Sequence, residues 1–318
     1  MEDHDLKKIG VLGAGLMGHG IAQVFALAGC QVNLYDRDAQ VLGSALQRIQ
    51  KNLETFLRLK LIAPQQVESA LGRIELSKSL ESFCSGRDLI IEAVSEHLDL
   101  KRKIFTALEK NVSPRTVLAS NTSAISIGKI AQGLSHPERV LGTHFWNPPH
   151  VVPCVEVIKA PLTAIKVLDK VHGLLAKVGK RPVKVMKDVP GFLGNRMQHA
   201  LWREAFKLVE QGVASAEDVD DVVRYGFGLR LAFLGPLQTA DLAGLDLTYE
   251  VQKDLFPHLD RSTQPSSLLE KKIEHGELGV KSGRGFHLWS PEETRRVIER
   301  RDEILLKILR EILPPGDA

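Results

Sequence analysis

A chain of 318 residues, 43% hydrophobic and 25% charged, has the make-up of an ordinary globular protein of about two domains. The formal net charge is only +3, basic and acidic residues are interspersed, and 5% of residues are aromatic. That pattern argues against a nucleic-acid surface, which needs clustered basic residues interleaved with stacking aromatics. Cys30, Cys84 and Cys154 are widely separated, so neither a disulfide framework nor a metal site is expected, and a reducing compartment suits them. Met1–Lys8 has no charged-then-apolar leader, and no apolar run approaches the ~20 residues of a membrane span. The expectation is a cytoplasmic protein that does not enter a membrane.

In chain order, the apolar runs Lys8–Leu12, Gln31–Tyr35, Asp88–Ala93, Thr116–Ala119, Val140–His144, Cys154–Ile158 and Pro182–Val185 read as strands. Helical patterns separate several of them, at Leu16–Ala28, Ala39–Leu59, Leu98–Asn111 and Ala164–Val178. Such alternation predicts an α/β fold with a largely parallel sheet covered on both faces. The stretch 52–74, broken at Ile62-Ala-Pro-Gln, reads as two helices forming an arm off the sheet domain. The pattern changes near Asp188. Leu193, Met197, Ala200, Leu201, Ala205 and Leu208 recur as one face of a long helix, with Gly212 placed as its C-cap glycine. Ser215 is placed to cap a further helix through Val223, and a charged amphipathic helix over Pro291–Leu313 closes the chain. The expected division is therefore 1–187, a sheet domain, and 188–318, an all-helical domain.

The first strand runs into Gly13-Ala14-Gly15-Leu16-Met17-Gly18 at the entry to a helix. Gly13 permits the tight turn, Gly15 lets a pyrophosphate approach the backbone, and Gly18 lets helix and strand pack closely. The helix N-terminus then faces the phosphate charge. Asp36 ends the second strand, where a carboxylate accepts the adenosine ribose hydroxyls. This is the fingerprint of a doubly wound, Rossmann-type sheet that binds NAD. Asp36 would repel a 2′-phosphate, although Arg37 beside it leaves NADP open.

His144 ends a predicted strand, and Glu156 lies in the next, beyond the turn Asn147-Pro148-Pro149. A neutral imidazole can take the proton of a substrate hydroxyl while hydride leaves the adjacent carbon. A carboxylate behind the ring fixes its tautomer and stabilises the imidazolium. The competing reading is a core histidine and a strand-rim charge.

Several linked motifs bear on that choice: Gly13–Gly18, Ile91-Glu-Ala-Val-Ser-Glu96, Ala119-Ser-Asn-Thr-Ser123, His144-Phe-Trp-Asn-Pro148, Val155-Glu-Val157 and Pro190-Gly-Phe-Leu-Gly-Asn195. In this order and spacing, the chain resembles the 3-hydroxyacyl-CoA dehydrogenase family over nearly its whole length. The resemblance implies an L-3-hydroxyacyl substrate oxidised to the 3-keto compound, His144 as general base and Glu156 as its orienting partner. It places Ser123 and Asn195 on the reacting oxygen, Asn147 in the substrate pocket, and Glu96 and Lys101 at the nicotinamide and ribose end of the cofactor. It also implies a homodimer formed through the helical domain. Alternatives stay open: Ser123 as cap of a helix beginning at Ile125, Asn195 as a solvated helix position, and Lys101 as wet surface within Lys101-Arg-Lys.

Two stretches, Asn147–Cys154 and Tyr225–Pro236, depart from the fatty-acid branch of that family. Both are similar to the lambda-crystallin or L-gulonate 3-dehydrogenase branch, which handles free hydroxy acids, and to the pyridine-carboxylate dehydrogenases. Arg230 then becomes a candidate bidentate anchor for a free carboxylate, or else an interface salt-bridge residue. Lys51, Arg58 and Lys60 equally suit the phosphates of coenzyme A. A reading of another class is a lens-crystallin-like structural or NAD-binding protein, against which the intact His144, Glu156 and Asn195 argue.

Overall fold

The computed structural model describes residues 6–312. The predicted terminal helix ends at Leu313, which lies outside them. The described residues through Asn195 form one compact unit and those from Arg196 onward a second.

In the first unit the strands are β1 (Lys8–Leu12), β2 (Gln31–Tyr35), β3 (Ile74–Leu76), β4 (Leu89–Glu92), β5 (Val117–Ser120), β6 (Val140–Phe145), β7 (Cys154–Ile158) and β8 (Arg181–Val185). Its helices are α1 (Gly18–Leu27), α2 (Ala39–Gly43), α3 (Ala45–Arg58), α4 (Pro64–Gly72), α5 (Leu80–Cys84), α6 (Leu98–Asn111), α7 (Ile127–Ala131) and α8 (Ile165–Lys177). The strands form one eight-stranded sheet in the order β3-β2-β1-β4-β5-β6-β7-β8, parallel except at β6–β7. The order reverses direction between β1 and β4, and a crevice opens at such a switch point beyond the carboxyl ends of the strands. β1, β4 and β5 are apolar and buried almost throughout because helices cover both faces. Side chains such as Ile9, Val11, Ile91 and Leu118 are fully buried, each stabilising the fold by roughly 1.5–3 kcal/mol.

Three local differences from the sequence expectation have physical causes. The pattern Ala39–Leu59 is two helices, because the chain breaks at Ser44, which caps one and precedes the other. Three-residue β3 was not expected, since so short a strand shows no alternation. The two helices with a break before Pro64 are present, but they do not stand off as an arm. Ile49 and Leu53 of α3 and Ala70 of α4 are buried in the same core cluster as α1.

The second unit is helical: α9 (Gly194–Glu210, whose first two residues belong to the first unit), α10 (Ala216–Tyr225), α11 (Phe227–Leu231), α12 (Pro236–Ala243), α13 (Leu245–Leu255), α14 (Ser267–Glu274) and α15 (Pro291–Ile312). The Ser215 side chain accepts from the Asp218 amide as the N-cap of α10, and Gly212 adopts φ 69° after α9. Isolated bridges at Gly279, Arg284 and Leu288 add a small β element. Among its described residues Leu306 is the buried hydrophobic, while Val222, Phe233, Leu237, Leu242 and Tyr249 are exposed.

Candidate active site

The glycine-rich turn lies at the switch point. Gly13 has φ 99°, and a Cβ there would sit 2.6 Å from the Ala93 carbonyl oxygen. A Cβ on Gly18 would sit 1.7 Å from the Gly13 carbonyl oxygen. Around a Cβ on Gly15 there is nothing within 4 Å, so the turn is closed on its protein side and open on the other. The N-cap residue of α1, Met17, makes no side-chain cap bond, which suits an anion at this helix N-terminus. Gly13, Gly15, Leu16, Met17, Tyr35, Asp36, Ala93, Val94 and Ser95 line a cleft of about 620 Å³. Asp36 accepts from the amides of Ala14 (2.8 Å) and Asp38 (3.0 Å), which pins the carboxylate at the end of β2. An open glycine cradle, a helix N-terminus without a side-chain cap from Met17 and an acid at the strand end together fit a dinucleotide.

Arg48 and His19 support this turn, and neither was expected from the sequence. The Arg48 guanidinium donates to the carbonyls of Ala14 (2.8 Å), Gly15 (3.2 Å) and Val41 (2.9 Å). The His19 Nδ1 lies 2.7 Å from the Gly15 carbonyl. No local spacing announces these contacts, because Arg48 reaches the turn from a different helix.

A second group gathers where β4 and β5 end. Lys101 is 1% exposed, which excludes the wet-surface reading. Its ammonium donates to Glu92 at 2.7 Å and lies 3.4 Å from Glu96. Glu92, fully buried, also accepts from Ser120 at 2.6 Å. Glu96 accepts from the Thr122 hydroxyl and the amides of Ser123 and Ala124. Burial pushes the Glu96 carboxyl up, but the Thr122 hydrogen bond, Lys101 and the two amides outweigh it and hold it below the usual range. Ser123 itself is exposed and caps no helix: α7 begins at Ile127, and Ser126 is its cap.

His144 and Glu156 are directly opposite each other in the antiparallel β6–β7 pair, so their side chains share one face. Both are buried. Glu156 can only accept, so His144 Nδ1 donates to its Oε2 at 2.7 Å, leaving the lone pair on Nε2. Glu156 Oε1 accepts the amides of Leu193 (2.8 Å) and Gly194 (3.1 Å). Burial raises this carboxyl, and the His144 hydrogen bond with the two amides outweighs it, so it stays ionised below the usual range. Asn195 is half-buried rather than solvated, and its Nδ2 donates to the Ser123 carbonyl at 2.8 Å. Asn147 is exposed in the β6–β7 turn, before a cis peptide to Pro148. Arg230 is exposed on α11 of the second unit.

A doubly wound sheet with this turn and acid belongs to the dinucleotide-dependent oxidoreductases. Residues 8–189 match the model of the 3-hydroxyacyl-CoA dehydrogenase NAD binding domain, and residues 191–289 that of its C-terminal domain. The chain is a member of the 3-hydroxyacyl-CoA dehydrogenase family, and its cofactor is NAD. It is 35% identical over 308 residues to a 5-formyl-3-hydroxy-2-methylpyridine 4-carboxylate 5-dehydrogenase of Mesorhizobium japonicum, covering 96% of this chain and 98% of that one. It is 38% identical over 233 residues to lambda-crystallin of Oryctolagus cuniculus, covering 73% of each. A crystal structure of a 5-formyl-3-hydroxy-2-methylpyridine 4-carboxylic acid 5-dehydrogenase, described as an NAD+-dependent dismutase, superposes with TM-score 0.92 at 33% identity, over 97% of this chain and 99% of that one. Among the described residues no helix is long and apolar enough to cross a membrane.

Proposed function

We propose that the protein oxidises an L-3-hydroxyacyl compound to the 3-keto compound, with His144 as general base and Glu156 as its orienting partner. The observation that carries this reading is the buried 2.7 Å bond from His144 Nδ1 to Glu156, which leaves Nε2 as a proton acceptor. NAD held by the glycine turn and Asp36 would supply the acceptor for the hydride leaving the carbinol carbon. His144 Nε2 takes the hydroxyl proton, and ionised Glu156 stabilises the imidazolium that forms. Ser123 and Asn195 hold the substrate oxygen, a role supported by the bond that fixes them side by side. Asn147 belongs to the substrate pocket. Gly13, Gly15, Leu16, Met17, Gly18 and Asp36 hold the cofactor, supported by the open cradle and the pinned carboxylate. Glu96 adjoins that site, with Lys101 holding its carboxylate in place.

The functional domains are taken as 1–187 for the cofactor and 188–318 for substrate and dimerisation. A homodimer through the helical domain is supported by its exposed apolar side chains, Leu237 at 80% among them. A cytoplasmic location is supported by free cysteines at Cys30, Cys84 and Cys154.

A second substrate reading, a free hydroxy acid or a pyridine carboxylate with Arg230 as carboxylate anchor, is favoured by the near full-length match to the pyridine-carboxylate enzyme. The deciding experiment follows NADH appearance with 3-hydroxybutyryl-CoA, free L-3-hydroxy acids including L-gulonate, and a pyridine-carboxylate alcohol. Turnover of the thioester supports the first reading, and turnover of the free acids alone replaces it with the second. In His144→Ala, turnover should vanish with NADH binding nearly unchanged; equal loss of both would make His144 structural.

A further inference from the structure

The segment Phe192–Asn195 touches each member of the proposed catalytic group through a different contact. Phe192 is fully buried with its ring centroid 5.8 Å from that of His144. Its backbone is left-handed, at φ 50°, although it is not glycine. Such a conformation is unfavourable for a bulky side chain and persists only where the surroundings over-determine it. The next two amides, those of Leu193 and Gly194, converge on Glu156 Oε1. Successive amides following a left-handed residue form a concavity suited to an anion. A Cβ on Gly194 would lie 2.1 Å from Cζ2 of Trp146, so the indole lies directly on that backbone. The same indole is 5.2 Å from the His144 ring. Asn195 completes the segment through the Ser123 carbonyl.

We propose that Phe192 and Gly194 are positioning residues of the alcohol oxidation, acting through Glu156. The left-handed turn at Phe192 aims two amides at Oε1, and the bare Gly194 backbone beneath Trp146 keeps them there. With Oε1 occupied, Oε2 is the oxygen left for His144 Nδ1–H, and the proton-accepting lone pair is held on Nε2. Without the two amides the carboxylate rotates and holds its charge less dispersed, so the pair binds a proton more tightly and the ring loses its aim. The inference rests on the His144–Glu156 reading of the site.

The test compares Gly194→Ala, Phe192→Gly and Phe192→Ala with wild type and with His144→Gln. It measures kcat, KM, the pH profile of kcat/KM, NADH binding by fluorescence and the melting temperature. In Gly194→Ala, kcat should fall about 100-fold, the scale of a small misplacement of a catalytic group. Its KM and NADH affinity should stay within about twofold of wild type, which separates chemistry from uniform binding. The acid limb of its pH profile should move up by roughly half a unit to one unit. Phe192→Gly and Phe192→Ala lose the same ring, yet only glycine accepts φ 50° without strain, so the glycine variant should keep about tenfold more kcat. Wild-type kcat and pH profile in Gly194→Ala would overturn the proposal. If Gly194→Ala does not fold, the Phe192 pair decides, and equal kcat in its two members overturns it. Wild-type turnover in His144→Gln would instead remove the dyad reading beneath it, a failure distinct from the others.

Discussion

Replacing Glu156 by glutamine keeps the shape and removes the charge, and the hydrogen bonds around it leave the amide no satisfactory orientation. The wild-type carboxylate accepts on both oxygens: His144 Nδ1–H on one, the Leu193 and Gly194 amides on the other. If the glutamine oxygen faces the two backbone amides, its NH2 points at His144. Nδ1 must then accept, the ring proton moves to Nε2, and the base is lost. If the oxygen faces His144, the NH2 meets two N–H donors in a buried site, and the imidazolium still lacks its counter-charge. Losing a charge-assisted hydrogen bond costs about 1.5–3 kcal/mol, and leaving a buried donor unsatisfied about 1–3 kcal/mol more. The two together correspond to a fall in kcat of roughly 10²–10⁴. NADH binding should be unaffected, because none of these groups belongs to the glycine turn. The assay is single-turnover NADH formation at saturating substrate across pH 6–10, alongside NADH titration by fluorescence. A kcat within about tenfold of wild type, with the pH profile unchanged, would refute the role given to this carboxylate.

The glycine turn makes a paired prediction. Gly18→Ala places a Cβ on a backbone oxygen, which should destabilise the fold by ~1–3 kcal/mol or more and abolish NAD binding. Gly15→Ala meets nothing in the protein, so its urea midpoint should match wild type while NAD affinity falls by roughly tenfold. If Gly15→Ala binds NAD normally, the pyrophosphate does not pass over that backbone. Lys180 donates to the carbonyls of Pro149 and Val152, and burial pulls its ammonium down to about 8. Its unfolded value is ~10.4, so the unfolded chain holds this proton longer and stability should gain between about pH 8 and pH 10.4. Urea denaturation should show that gain in wild type and not in Lys180→Met, and parallel curves would refute it. Glu96 and Glu156 have the same slope in the acid range, but there the ionised form is the one the fold stabilises. Their depressed values contribute stability above the unfolded carboxylate range that is lost as pH falls through the folded values, so Glu96→Gln should flatten the acid limb of the stability curve.

The local pattern by itself determined most of the sheet domain. β1, β2 and β7 carry the bounds expected from their apolar runs, because strands covered on both faces are apolar at most positions, Asn33 and Glu156 being buried exceptions within them. The glycine spacing and the acid after β2 were legible for a related reason: a tight turn against a phosphate admits few residue types. His144 and Glu156 were visible as polar residues in apolar strands, although spacing alone left a core histidine and a rim charge as rivals. Their pairing depends on the antiparallel register of β6 and β7, which local periodicity does not encode. Tertiary structure alone decided that Lys101, within a charged run that reads as surface, is buried against Glu92 and Glu96. It alone brought Arg48 to the glycine turn, folded the supposed arm onto α1, and turned the amides of Leu193 and Gly194 toward Glu156. Arg48 and the two amides meet partners more than thirty residues away, and even Lys101, nine residues from Glu92, is buried only once the sheet has assembled.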